Sequence, residues 1–381
     1  MISPRRISTS RPYRWFLVIF LGMFPFFPFS QTEDSVKPVT RVSVTGFSLG
    51  VHYGSIFAHS EQVQNTAGAN PRGLELAYTW QRRDKGVVDL CNCYPRKGIV
   101  ASYFNFDNEI LGHGVMAGWM LEPTYRLGSK LQLGIRGVAG LTWMSHPFDS
   151  VTNPGNQSYS TAISAWLVVG ASVSYPINEK WRVQLGGNFE HTSNGGMRQP
   201  NKGVNFPTAS VHLQYTPDPQ PFFSGVRSHE KYWVGKPWRK DIGIFGTGKR
   251  SVNEAGIGTR QPIVGLIALG SKQVGRINAV TAGLEGYYDG YNAQRMKTDT
   301  LEEVSAVRVG LMGGHEFLLG KFIFSQQVGV YLFKPSPYDK SWFHRWGLLY
   351  GMNKKIWAGI NLKAHVHVAD FVDIRFIYSW H

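Results

Sequence analysis

Beyond residue 30 the chain repeats one pattern, in which segments of about ten residues alternate apolar and polar side chains between turns. From Trp181 the odd positions read Trp181, Val183, Leu185, Gly187 and Phe189, against Arg182, Gln184, Gly186, Asn188 and Glu190. From Leu131 the same split sets Leu131, Leu133, Ile135, Ala139, Leu141 and Trp143 against Lys130, Gln132, Arg136 and Thr142. Near the end, Val372, Ile374, Phe376, Tyr378 and Trp380 oppose Asp373, Arg375 and Ser379. Successive strand residues point to opposite faces, so each segment has one apolar and one polar face. A transmembrane barrel turns the apolar face to lipid and a soluble sandwich turns it inward; both carry this pattern.

Aromatic residues favour the membrane. Trp143, Tyr175, Tyr215 and Trp380 stand at strand ends, where interfacial girdles form. The closing run Phe376 to His381 resembles an outer-membrane C-terminal strand, with His381 after the last aromatic. A closed barrel also removes the unpaired edges that hydrocarbon penalises. The expected class is therefore all-β, a single antiparallel transmembrane β-barrel of about 14 strands, roughly 12 to 16. Residues 217–237, with Pro217, Pro219 and Pro221, are expected to form a long loop between two sets of strands of that barrel, not a linker between domains.

Composition narrows the class further. Only 17% of residues are charged, 14% are aromatic, and 43 of 381 are glycine. Disorder needs the opposite balance, and two cysteines are too few for a disulfide scaffold. Residues 1–30 read as a signal peptide: Arg5, Arg6, Arg11 and Arg14 precede the apolar run from Trp15 to Phe29, and Ser30 follows. The barrel domain is then 31–381, in the outer membrane. Removing those four arginines takes the formal charge from +15 to +11. In an exported protein that balance suits anionic partners such as phosphorylated lipid headgroups; no arginine-rich run supports nucleic acid.

Several motif matches lack their structural context. Gly46-Phe47-Ser48-Leu49-Gly50 fits a hydrolase nucleophile elbow, but a strand pattern continues after it where a helix is needed. Gly243 to Lys249 approaches a phosphate-binding loop, yet Arg250 replaces the Ser/Thr. Cys91 and Cys93 are too close for an easy disulfide and lack further zinc ligands, which leaves a loop pair with redox chemistry. His59 and His113 stand alone as loop or lumen histidines.

The segment His191-Thr192-Ser193-Asn194-Gly195-Gly196-Met197-Arg198-Gln199-Pro200-Asn201-Lys202-Gly203-Val204-Asn205 carries chemistry. Extending the parity from Trp181 puts His191 and Ser193 on the apolar face. The following strand puts Asn205 on that face too. Three hydrogen-bonding side chains facing hydrocarbon are costly unless they pair with one another. Nucleophile, base and base-orienting group is one such pairing. Turn chemistry at a strand end is another reading of the same residues.

This segment resembles the signature of the outer-membrane lipid A 3-O-deacylases, the PagL-type acyloxyacyl hydrolases. Their pattern is matched in order by His191, Ser193, Asn194, Gly196, Gln199, Pro200, Asn201 and Gly203. The resemblance covers 41–217, and 218–381 reads as additional strands of a longer barrel. It implies hydrolysis of an ester in lipid A of the outer-leaflet lipopolysaccharide, with Ser193 as nucleophile and His191 as general base. Backbone N–H groups of Asn194, Gly195 and Gly196 would form the oxyanion hole, with Asn201 in support. The family's acidic residue falls on Asn205, whose amide can orient the imidazole without supplying charge. Arg198 and Lys202 are candidate phosphate-binding residues. The scheme needs no metal or cofactor. The alternatives are a non-catalytic barrel, either channel or structural, and an esterase acting on phospholipids.

Overall fold

The computed structural model describes residues 42–252, 258–301, 304–338, 340–366 and 368–381. The signal peptide expected at 1–30 lies outside these residues. Strands β1 (Ser43–Gly54), β2 (Arg72–Arg82), β3 (Tyr94–Asn105), β4 (His113–Leu127), β5 (Leu131–Met144), β6 (Ile163–Pro176), β7 (Trp181–Ser193) and β8 (Val204–Tyr215) form one closed antiparallel barrel. It closes where β8 pairs back onto β1. Strands β9 (Arg239–Val252), β10 (Gly258–Gln273), β11 (Asn278–Asp289), β12 (Val307–Leu319), β13 (Phe322–Phe333), β14 (Trp342–Gly351), β15 (Ile356–His365) and β16 (Val368–Trp380) form a second, closed by β16 on β9.

A single barrel of about 14 strands is therefore corrected to two barrels of eight. Alternation predicts strands but does not say which pair closes the sheet. The break falls at the prolines. Pro217, Pro219 and Pro221 have no N–H to donate to a ladder, so the sheet stops at Tyr215 and the first barrel closes. The segment 216–238 contains no strand and links the two barrels, which corrects the expectation of a loop within a single barrel. It packs on the end of the first one, with the Arg83 guanidinium 4.1 Å above the Phe222 ring and the Phe223 N–H bonded to the Arg83 carbonyl at 2.9 Å.

Parity sorts the two faces as the alternation predicts. Phe47, Leu49, Val51 and Tyr53 of β1 point outward, while Ser48 and His52 are buried in the lumen. Eight strands enclose a bore that side chains can fill. Buried ion pairs cross the middle of the first lumen: Arg136 donates to both Glu75 oxygens at 2.7 Å, and Arg96 donates to Glu122 at 2.8 Å. Fully buried Phe104, Phe106, Met116, Trp166 and Phe206 pack one end of it. In the second barrel Arg345, Lys363, Glu285 and Asp373 form a buried charge network beneath Phe245 and Phe343.

His52, Glu75 and His212 form the one group among the described residues that could gather around a cation. Arg136 already holds both Glu75 oxygens, and His52 lies 3.4 Å from Glu190. These residues therefore read as part of the lumen charge balance. Among the described residues no helix is long and apolar enough to cross a membrane, and the barrel walls are apolar outside over a polar lumen.

Candidate active site

The β7–β8 hairpin sets the site by register. His191 stands directly opposite Asn205, and both lie on the outward side of their strands. Ser193, two residues beyond His191, is on the same face and pairs with Ala165 of β6. His191 Nε2 lies 2.8 Å from Ser193 Oγ, and His191 Nδ1 lies 2.6 Å from Asn205 Oδ1. The amide oxygen can only accept, so it assigns the ring proton to Nδ1 and leaves Nε2 to accept from the serine hydroxyl. Serine, imidazole and amide then form a chain of donors running one way.

The chain has a fourth member. Asn205 Nδ2 lies 2.9 Å from His59 Nδ1, which accepts from it. His59 is brought there because the β1–β8 ladder continues past Gly54. The Ser55 N–H bonds the Pro207 carbonyl at 3.1 Å, and the Phe57 N–H bonds the Asn205 carbonyl at 2.8 Å. Reading His59 as an isolated loop histidine is corrected by this contact. It sits 146 residues from Asn205 in sequence, and only closure of β1 on β8 makes them neighbours. No local motif carries that signal.

The loop from Asn194 to Gly203 is held from within. Asn194 donates through Nδ2 to the Arg198 carbonyl at 2.8 Å and to Ser160 Oγ at 3.3 Å. Its backbone N–H donates to Asn201 Oδ1 at 2.9 Å, and its Oδ1 accepts from the Gly196 N–H at 3.1 Å. The expectation of three oxyanion donors is therefore corrected. The N–H groups of Asn194 and Gly196 are committed to side-chain oxygens, whereas no described hydrogen bond engages that of Gly195. Gly203, at φ +80°, is needed for a different reason: a Cβ there would lie 2.7 Å from the His191 ring. Its own N–H donates to the Ser158 carbonyl at 2.7 Å, which ties the loop to the one before β6.

Other candidates fall elsewhere. Arg198 and Lys202 are exposed on the same loop. Glu190 points into the lumen, fully buried, and accepts from Trp166 Nε1 at 3.1 Å and Thr208 Oγ1 at 3.0 Å. Cys91 and Cys93 are joined in a disulfide with a Cα separation of 5.1 Å, which corrects the expectation that they are too close to bond. The short helix Lys85–Cys91 ends there with Asn92 in a left-handed conformation, and this turn brings the two cysteines face to face.

Two family models match the sequence. Residues 72–214 match the lipid A 3-O-deacylase (PagL) model, and residues 238–381 match the acyloxyacyl hydrolase C-terminal domain. The chain belongs to the PagL family. The first PagL match runs from the start of β2 to Gln214 in β8 and takes in the whole hairpin loop, and the second takes in all eight strands of the other barrel. No curated protein matches the chain. Solved structures similar to it include the KdgM porin in complex with disordered oligogalacturonate, at 9% identity and TM-score 0.19, covering 88% of this chain and 99% of that one. The TodX monoaromatic hydrocarbon channel follows at 10% identity and TM-score 0.20, covering 88% and 89%. A mutant of the Rh. blastica porin has 11% identity and TM-score 0.20, covering 90% and 100%. Scores this low carry no argument about this PagL-family chain.

Proposed function

We propose that this protein is an outer-membrane ester hydrolase that removes an acyl chain from lipid A, with Ser193 as nucleophile and His191 as general base. The observation that carries this reading is the run of hydrogen bonds from Ser193 through His191 to Asn205 on the outward face of a barrel wall. It is supported by the PagL-family match over the same residues.

The placement suits a lipid substrate. Outer-membrane barrels keep short turns on the periplasmic side and longer loops outside. The loops at the site's end span 55–71, 106–112, 145–162 and 194–203, whereas two of the opposite turns span only 128–130 and 177–180. The site then lies at the outer leaflet. Below His191 and Asn205 the wall narrows: Gly187 stands opposite Ala209, with Ala171 beside Gly187. A Cβ on Gly187 would meet nothing within 4 Å. These small residues leave a trough for an acyl chain that already lies in hydrocarbon.

In the reaction Ser193 Oγ bonds to the ester carbonyl carbon as its proton passes to His191 Nε2. The Gly195 N–H, which no described hydrogen bond engages, would donate to the developing oxyanion, and Asn205 Oδ1 holds the imidazole proton on Nδ1. The carbon–oxygen bond to the sugar breaks, and the leaving alcohol takes the proton from Nε2. Water then attacks the acyl-serine carbonyl as His191 Nε2 takes its proton; the bond to Ser193 Oγ breaks, Oγ takes that proton back, and the fatty acid leaves. Arg198 and Lys202, exposed on the same loop as Gly195, would hold headgroup phosphates.

The test is mass spectrometry of lipid A from cells producing the wild type, Ser193→Ala or His191→Ala. Loss of one acyl chain with the wild type alone is expected. Unchanged lipid A in all three, with folded barrels in the membrane, would leave the non-catalytic reading. A panel of phospholipids beside lipid A separates the substrate classes.

A further inference from the structure

We propose that the second barrel is a positioning element of the active site, with the start of β16 bracing the Gly195–Gly196 turn beside Ser193. This inference rests on the deacylase reading for its catalytic consequence, but the contact itself stands on geometry.

Gly195 and Gly196 both have left-handed backbones, at φ +64° and +81°. A Cβ on Gly195 would come within 2.6 Å of Val372 Cγ2, and one on Gly196 within 2.8 Å of the Asp370 carbonyl oxygen. The second barrel therefore approaches the turn as closely as glycine allows. Val372 belongs to the outward face of β16. It is half-buried there, whereas Ile374 and Phe376, next along the same face, are exposed.

The approach depends on a bulge. Lys363 of β15 pairs with Phe371 and Ala364 pairs with Ala369, so Asp370 is the extra residue. A bulge takes its extra residue out of the ladder and bends the strand, here toward the first barrel. The Asp370 side chain turns into the second lumen instead. Lys249 Nζ of β9 donates to its carboxylate at 2.8 Å, and His365 Nδ1 lies 3.7 Å away. The ion pair inside one barrel thus fixes the backbone that touches the catalytic turn of the other.

The consequence is preorganisation. Among the turn's N–H groups, that of Gly195 is left for the oxyanion. A donor aimed in advance stabilises the transition state without reorganising during the reaction. Asn194 and Asn201 hold the turn from the side of the first barrel, and Val372 with the Asp370 carbonyl closes the other side. Losing the brace should therefore reduce turnover more than substrate binding.

The experiment uses the full chain in detergent micelles. Val372→Ala removes the contact from the outside, and Lys249→Met releases the bulge. Leu266→Ala, at an exposed position on the wall of β10, is the control. Two readouts are compared: hydrogen exchange of peptides covering 194–203 and 204–215, and kcat and KM for lipid A hydrolysis. In Val372→Ala and Lys249→Met, exchange over 194–203 should rise about tenfold while 204–215 stays protected. kcat should fall about tenfold, with KM within about twofold. Leu266→Ala should match the wild type in both. Unaltered exchange over 194–203 in a folded Val372→Ala protein would overturn the brace, and faster exchange with unchanged kcat would overturn its catalytic role. If the wild type hydrolyses no ester, the deacylase reading falls and exchange alone decides whether the barrels are braced.

Discussion

His59 Nδ1 accepts a hydrogen bond from the Asn205 amide nitrogen at 2.9 Å, and that bond decides which end of the amide faces His191. An amide can present either its oxygen or its nitrogen. With oxygen toward His191 the imidazole proton is held on Nδ1, and Nε2 is free to accept from Ser193. The reverse orientation would put a donor against Nδ1 and move the ring proton to Nε2, where it cannot accept. A carboxylate, with two equivalent oxygens, would not need this support.

His59→Ala should therefore lower kcat by about 10- to 100-fold with little change in KM, because it frees the wrong orientation without touching the nucleophile. His59→Gln keeps an acceptor and should recover part of the loss. Steady-state hydrolysis by the three proteins checks it. Equal rates for all three would show that the amide is held by something else.

Asn205→Asp tests the neutral member of the chain. A carboxylate in the same place still accepts from Nδ1 and adds a negative charge beside the imidazolium that forms in the transition state. The amide cannot add that charge. The expected result is a rise in kcat of at least about tenfold. A folded variant with unchanged or reduced kcat would mean that His191 does not carry positive charge in the rate-limiting step.

Alternation makes the strands legible. Counting from Trp181 assigns the polar residues of β7 and β8 to faces, and the count alone puts His191, Ser193 and Asn205 on one side of one hairpin. It also puts Glu190 in the lumen, where Trp166 and Thr208 hold it. Closure is not legible, because period-2 patterning is identical for one barrel of many strands and two of eight. The pairing of Tyr215 with Phe47 is a choice between edges, and nothing near either residue announces it. His59 escapes the sequence for the same reason, since its partner depends on closure. The commitment of the Asn194 and Gly196 N–H groups depends on side-chain rotamers within the loop, which spacing does not encode.

Filled lumens argue against conduction. Phe104, Phe106, Trp166 and Phe206 are fully buried across one barrel, and Phe343, Arg345 and Lys363 across the other. An eight-stranded bore has little room beyond its own side chains. Protein reconstituted in planar bilayers should show no porin-like conductance steps. Steady large steps would mean open lumens and would revive the channel reading.

Two closed barrels also predict how the protein unfolds. Glu122 is fully buried in the first, accepting from Arg96 at 2.8 Å, Ser172 at 2.7 Å and Gln184 at 2.7 Å. Arg345 is fully buried in the second, donating to Asp373 at 2.7 Å and Asn361 at 2.9 Å. Removing one partner of such a cluster leaves its counter-charge in the interior and costs about 3–5 kcal/mol. Each barrel has its own ladder and lumen, so that cost should stay within one of them. Urea unfolding in micelles, followed by tryptophan fluorescence and by hydrogen exchange of each half, should resolve two transitions. Glu122→Ala should move the one reported by 42–215, and Arg345→Ala the one reported by 239–381. A single transition shifted equally by both variants would mean that the sixteen strands unfold as one cooperative unit, and the contact between barrels would then be much stronger than the Gly195–Val372 approach requires.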